Sequence, residues 1–450
     1  MAPASSANLE GAGVNAPNTV LLDIRAYSAP RRNAFTATSK TSTGHPIEVT
    51  FIAGQPPVLS HLSVHCPGLQ LPSTDLSLAP KSIAVDADLI LFRVPINRNG
   101  MYFYRHNDYF VYRAHHQHPK LYLLPKSSLA SFGDEELVVL SCGAAATDGD
   151  RQVCPISNTA PRLLYHLTTK VIVIGGTKGT IGWVDLWRGI LFCDVLEENP
   201  KLRDMPLPLP AKGNWRNFLN GYECCYRDIT VNHCKDSIKY VEMEIIRPRN
   251  VTTAPSGPEP LSYLEWLHSR ECPSQSTCTI IPGHWKATTW SMPIPVASWD
   301  DWHRDCTTEL HELGVDNPRH RKLLHKLMSS SGNNENTTEA TCSLGCLHMA
   351  YPTLSIDDDV VYLLVKATSG TKMGVIAVDL RLKKLQGVAK LDSKRNTSFI
   401  RRYLACEISK HLKTKDGDAI QVDDDDTIQP LLGTRESLGQ TVEHMPNPSK

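Results

Sequence analysis

No stretch of this chain stays apolar over the roughly 18–20 residues that a membrane-crossing helix needs, so no membrane association is expected. It has no excess charge of either sign: Lys plus Arg and Asp plus Glu number 47 each. That balance gives no global field toward a phosphate backbone or an anionic surface, which disfavours nucleic acid as a partner. The first twenty residues lack both a basic start before an apolar core and an Arg-rich amphipathic pattern, so neither a secretory nor a mitochondrial leader is expected. The expected compartment is the cytoplasm, the nucleus or both. The sequons at Asn250, Asn336 and Asn396 then read as chance matches.

Catalytic signatures are missing too. There is no Gly-x-Ser-x-Gly elbow, no His-Glu-x-x-His helix, no kinase set and no dinucleotide fingerprint. The glycine-rich run Gly175–Thr180 fails as a phosphate cradle, because a strand rather than a helix follows it. It reads as a hairpin turn. Cys342, Cys346 and His348, with Cys272 and Cys278 elsewhere, make only one loose half of a zinc knuckle. Cys224-Cys225 with His233 and Cys234 is weaker. His115, His116 and His118 lie between two strands without a carboxylate at defined spacing, and read as a solvated loop. No catalytic, cofactor or metal residue is therefore assigned.

What the chain does have is short β-strands. Val20–Tyr27, Pro46–Ala53, Leu59–Cys66, Ser82–Val94 and Tyr102–Arg113 are rich in β-branched and aromatic residues and bounded by Gly, Pro, Asn or Asp. Leu121–Leu124 and Glu136–Cys142 follow. Val171–Pro208 then reads as four strands cut by tight turns, with a hairpin turn at Arg188-Gly189. Later strands are predicted at Asp228–Val231, Ser237–Ile245, Trp285–Met292, Val360–Lys366, Met373–Leu380 and Leu385–Leu391. Helices are predicted at Leu261–His268, at Trp299–Leu313 continuing toward Met328, and at Phe399–His411. The thirteen cysteines are an odd number without a disulfide-scaffold spacing, and Cys66, Cys142, Cys193 and Cys406 sit in apolar strand-like contexts as free thiols.

Two internal echoes suggest a repeat. Phe110–Pro125 and Phe192–Pro206 both carry Pro-Lys-Leu and end in proline, and Val184-Asp185-Leu186 recurs as Val378-Asp379-Leu380. Repeated units of about 40–50 residues point to a mainly β, β-propeller-like array of antiparallel four-stranded blades. Six or seven blades are expected, one of them incomplete where Gly143–Pro161 reads as a long loop or a damaged repeat, with paired β-sandwich domains as the alternative. The expected layout is a disordered leader at 1–18, a propeller-like domain at 19–412 and a disordered charged tail at 413–450. Within the domain come an insertion loop at 247–283, a helical insertion at 298–328 and a mobile loop at 329–340.

The residues expected to carry the structure are Trp183, Asp185, Trp187, Arg188, Gly189, Trp285, Trp290 and Asp379. The tryptophans read as packing between blades or in the core, and the aspartates as turn-facing or hydrogen-bonded. The run Gly182–Leu191, with His65-Cys66-Pro67-Gly68, Asp108–Arg113, Tyr226-Arg227-Asp228-Ile229, Ile238–Glu242, Trp285, Thr289-Trp290-Ser291 and Val360-Val361-Tyr362, resembles the plant family called domain of unknown function 1618, which is abundant in grasses. The resemblance spans about residues 20–390 and implies a plant protein of no assigned activity, akin to propeller-like domains associated with F-box proteins. No F-box helix precedes Val20, so no role as a ubiquitin-ligase adaptor is expected. The function expected is a non-enzymatic scaffold presenting loops to a protein partner. The alternative is a hydrolase-like enzyme with its site at the propeller mouth.

Overall fold

A computed structural model describes residues 19–69, 79–96, 107–125, 133–141, 166–246 except 216 and 219–220, 249–253, 277–281, 284–328 except 297 and 299–300, 344, 347–367, 372–391, 399–400 and 403–412. The first sheet holds β1 (Val20–Asp23), β2 (Thr36–Lys40), β3 (Pro46–Ile52) and β4 (Leu59–His65) in the order β2-β3-β4-β1. The second is a meander of β5 (Lys81–Asp86), β6 (Leu89–Pro95), β7 (Asn107–Arg113) and β8 (Lys120–Leu123). The third is β9 (Lys170–Gly175), β10 (Thr180–Asp185), β11 (Gly189–Asp194) and β12 (Leu202–Pro206).

The fourth sheet begins with β13 (Arg227–Val231) and β14 (Ser237–Ile246). A separate two-stranded ribbon, β15 (Arg249–Thr253) and β16 (Thr277–Ile281), interrupts it before β17 (His284–Pro293) and β18 (His303–Glu309). The helix α1 (Pro318–Met328) leads to the fifth sheet, β19 (Leu347–Leu354), β20 (Val360–Ala367), β21 (Met373–Asp379) and β22 (Lys384–Lys390). The last strand, β23 (Tyr403–Cys406), returns to the first sheet and pairs antiparallel with β1, Val20 opposite Cys406 and Asp23 opposite Tyr403.

The apolar clusters show how the sheets meet. Phe51 and Leu62 of the first sheet pack with Phe92 and Phe110 of the second. Ile190 and Phe192 of the third pack with Ile229 and Tyr240 of the fourth. Val241 and Met243 of the fourth pack with Val361 and Ile376 of the fifth, with Leu324 and Leu327 of α1 beside them. Tyr362 and Val375 of the fifth pack with Leu21 and Tyr403 of the first. Between the second and third sheets runs an extended wedge, in which Leu137 and Val139 join the second sheet's cluster and Val138 joins Ile181 and Trp183 of the third. Each of the five sheets thus packs against two neighbours, an arrangement consistent with propeller-like blades. This explains why β10 and β21 are buried almost throughout: a strand covered on both faces reads as a continuous apolar run.

The expected count of six or seven blades is corrected to five among the described residues. Glu136–Cys142, predicted as a strand, is a short 3-10 turn at Asp134–Glu136 followed by the unladdered wedge. The ends of the expected insertion loop at 247–283 are the ribbon β15–β16 rather than loop or blade. Ser82–Val94 is two strands of a hairpin, because the left-handed backbone of Ala87 turns the chain between β5 and β6. The predicted helix Trp299–Leu313 is mostly β18 and a 3-10 turn; its apolar spacing is outweighed by the ladder with β17, and only α1 is helical. Phe399–His411 likewise contributes β23 and a 3-10 turn. The strands β2 and β19 went unpredicted. The predicted helix Leu261–His268, the loop 329–340, the leader 1–18 and the tail 413–450 lie outside the described residues. No helix among the described residues is long and apolar enough to cross a membrane.

Candidate functional site

Edge strands of four sheets, β23, β5, β9 and β19, together with the turn leading into β13, line one cavity of ≈890 Å³. It is lined around the starts of β5, β9 and β23, by Lys81, Leu167 and Leu404 among others. The antiparallel ladder places the β10–β11 turn at this same end, since Val184 lies opposite Lys170. The signature residues of that turn therefore belong to the mouth.

Asp185 is 1% exposed. Its carboxylate accepts hydrogen bonds from the backbone of Leu167 (3.0 Å), Trp187 (2.9 Å) and Arg188 (3.1 Å) and from the Arg188 guanidinium (2.7 Å). It caps the turn and ties the rim segment at Leu167 to it. An Asp185→Ala variant strands these donors and is expected to lose about 1–3 kcal/mol of unfolding free energy in urea titration. Arg188 remains half-exposed at the rim. Gly189 admits no side chain, because a Cβ there would stand 2.5 Å from the carbonyl oxygen of Met205 on β12.

Trp187 lies past the end of β10 and does not share a strand face with Trp183 as predicted. Trp183 packs in the wedge cluster with Val138. Trp187 reaches the fourth sheet instead. Its Nε1 donates to the carbonyl of Gly221 at 3.0 Å, and the Arg227 guanidinium lies 4.7 Å from its ring. It therefore holds the segment that presents Tyr222, Glu223 and Cys224 to the cavity. Trp285 faces Tyr226, and Trp290 faces Tyr240. The four tryptophans do not form one surface.

Among the described residues Arg227 is the largest fully buried side chain. Its Nη2 donates to Glu242 Oε1 at 3.0 Å, and its Nη1 to the Leu186 carbonyl at 2.9 Å. Glu242 also accepts from the Asn214 amide at 2.8 Å and the Ala211 backbone. On β13, Asp228 pairs with Lys170 of β9 at 2.7 Å and accepts from Leu354 N of β19 at 3.0 Å, stitching three inner strands together. On the opposite wall Asp134 meets Lys81 at 2.8 Å and Arg93 at 3.2 Å.

Asp379, the proposed counterpart of Asp185, does cap a turn, accepting from Leu382 N at 2.7 Å and Gln386 Nε2 at 2.9 Å. It ends the third strand of its sheet, whereas Asp185 ends the second. That echo is corrected to two turn caps out of blade register. The Pro-Lys-Leu echo is in register, leading into β8 and β12, the fourth strands of adjacent sheets.

Three large apolar side chains are left at the rim: Tyr222 is 79% exposed, Leu167 65% and Ile400 40%. Beside them, burial raises the Glu223 carboxyl above its ordinary range. Hydrogen bonds from Cys224 and then Tyr351 hold the Cys225 thiol down to about 7 against burial. Burial pushes the Cys406 thiol up to about 12, as expected of an inert core cysteine. Cys66 and Cys193 are buried in apolar clusters, while Cys142 lies outside the described residues. The triad His115, His116 and His118 forms the exposed loop between β7 and β8, its rings stacked. The run Gly175–Thr180 is a hairpin turn with Gly175, Gly176 and Gly179 in left-handed conformations. Cys342 and Cys346 lie outside the described residues. The rim residues went unnoticed in the sequence because they sit in connections, where no periodicity marks them.

Residues 183–362 match the model of the family described as "Protein of unknown function (DUF1618)". No curated protein matches the chain. Among solved structures, the crystal structure of Porphyromonas gingivalis dipeptidyl peptidase 4 aligns at 7% identity and a TM-score of 0.20, covering 81% of this chain. The chain spans 42% of that protein's length.

Proposed function

From the premise that the chain belongs to the DUF1618 family, whose description carries no activity, we propose that it is a non-enzymatic interaction scaffold that takes a protein partner at the cavity mouth. The observation behind this reading is the composition of the rim. Tyr222, Leu167 and Ile400 stay in solvent, while the carboxylates Asp185, Asp228 and Asp134 are all engaged in caps and ion pairs of the fold. An exposed apolar group rimmed by polar residues is what protein interfaces use. The setting proposed is the cytoplasm or nucleus, with no membrane or nucleic acid involved. Proximity labelling in plant cells with the wild type and a Leu167→Glu/Tyr222→Glu variant tests the proposal. Partners enriched by the wild type and lost from the variant support it. Identical labelled sets from the two would remove it.

A hydrolase-like reading has one observation in its favour, the desolvated Glu223 on the cavity wall, two residues from the low-lying Cys225 thiol. The thiol makes a clean prediction. Alkylation of Cys225, followed by mass spectrometry, is expected to rise with pH around a midpoint of about 7. A midpoint near the ordinary thiol value would remove the support. Because the folded state binds the proton less tightly than the unfolded chain, this group makes stability rise with pH from about 7 up to its ordinary value.

A further inference from the structure

Where β14 ends and β17 begins in the fourth sheet, three potential metal ligands converge, none of them lining the cavity. His284 opens β17, Glu309 closes β18, and His311 stands in the 3-10 turn that follows. Their ligand atoms all lie within 4.8 Å of one another. The two imidazole rings are 4.4 Å apart, and His284 Nε2 is 2.9 Å from Glu309 Oε2.

That short contact is not a well-directed hydrogen bond. Glu309 Oε2 is buried and has no hydrogen-bond partner despite the nearby ring nitrogen. The contact is an ion pair only while His284 is protonated; with the imidazole neutral, both atoms can coordinate a shared cation. The lysine across the ladder from Glu309 is engaged elsewhere: Lys286 lies directly opposite it on β17, yet its Nζ is 2.7 Å from Glu244 Oε2. The other His-carboxylate group among the described residues, His233, Asp357 and Glu407, is a contrasting case. There the Lys410 ammonium already sits among the three, 2.6 Å from His233 Nδ1 and 3.0 Å from Glu407.

We propose that His284, Glu309 and His311 bind a divalent transition-metal ion of the zinc class. Two imidazoles and one carboxylate suit such an ion, and a tetrahedral site with bonds of about 2.0–2.1 Å separates its ligands by about 3.3 Å. A small side-chain adjustment brings the observed cluster to that spacing. Three protein ligands leave a fourth position for water or for a donor from a bound molecule. The spacing hides this set in the sequence, because only the β17–β18 ladder brings His284 to Glu309.

The test is metal titration of the full, untagged chain at neutral pH, using zinc alone and then cobalt as a spectroscopic probe. The wild type is expected to bind one zinc at this site, and the cobalt form to show tetrahedral d–d bands without a thiolate charge-transfer band. Glu309→Gln and His311→Ala are each expected to weaken binding by at least about tenfold. His311 is exposed, so its variant is also expected to keep the metal-free melting temperature while losing the zinc-induced rise. Unchanged affinity in both variants would overturn the proposal, as would cobalt held wholly through thiolates.

Discussion

A chain ending at residue 398 is expected to lose its cooperative unfolding transition. The strand β23 does more than extend a sheet. It pairs with β1 over four residues, Val20 to Asp23, and it supplies Leu404 and Ala405 to the cavity wall. Tyr403 fills the contact between the fifth and first sheets. Without β23, Leu21 and Leu22, which are fully buried, lose cover on one edge, and the interface that joins the last sheet to the first opens. A milder version of the same experiment is Tyr403→Ala, expected to cost about 3–5 kcal/mol as large-to-small core changes do. Circular dichroism and urea titration would distinguish a broad, non-cooperative transition in the truncated chain from a shifted but sharp one in the point variant.

Arg227→Met is expected to destabilise the fold by about 3–5 kcal/mol, because it leaves Glu242 as an unpaired charge in the core. Glu242 has a side-chain exposure of 1%, so water cannot take over from the guanidinium. The variant also removes the donor to Leu186 O and the cation facing the rings of Trp187 and Tyr240. Adding Glu242→Gln is expected to restore most of the loss. The glutamine removes the buried charge while its oxygen still accepts from Asn214 and Ala211, the other groups that depend on this position. If the double variant were as unstable as the two singles combined, the pair would not be the source of the effect. Urea midpoints for the three variants decide this.

These two predictions concern features of different legibility. The strands of the third sheet could be read from Val171–Pro208 because turn residues punctuate it and its apolar runs are short. Asp185 as a turn group was equally readable, since aspartate before a tight turn accepts from the backbone beyond it. Closure was not. The partner of Val20–Asp23 lies at the far end of the chain, and Phe399–His411 carries spacing that suits a helix until β1 offers a ladder. Blade number failed for a related reason. Leu137–Leu140 has a strand's composition, but its alternate residues serve two different sheets, so it wedges between blades without starting one.

The candidate site divides in the same way. Trp187 was singled out for packing between blades or in the core; it contacts the Arg227 guanidinium and the Gly221 carbonyl. What it holds in place, the rim segment with Tyr222 and Cys224, has no local pattern to mark it. Arg227 and Glu242 are visible as charged residues at strand positions flanked by apolar ones, yet only the β13–β14 register, which sets them directly opposite, makes them a pair.

The central claim is that five sheets form one ring closed by β23 on β1. Hydrogen exchange on the intact chain, read by mass spectrometry for peptides covering Val20–Asp23 and Tyr403–Cys406, tests it most directly. The ring predicts that both segments are protected to the same level as the core strands β10 and β21, and that they open together. Rapid exchange of either segment while β10 and β21 stay protected would contradict closure.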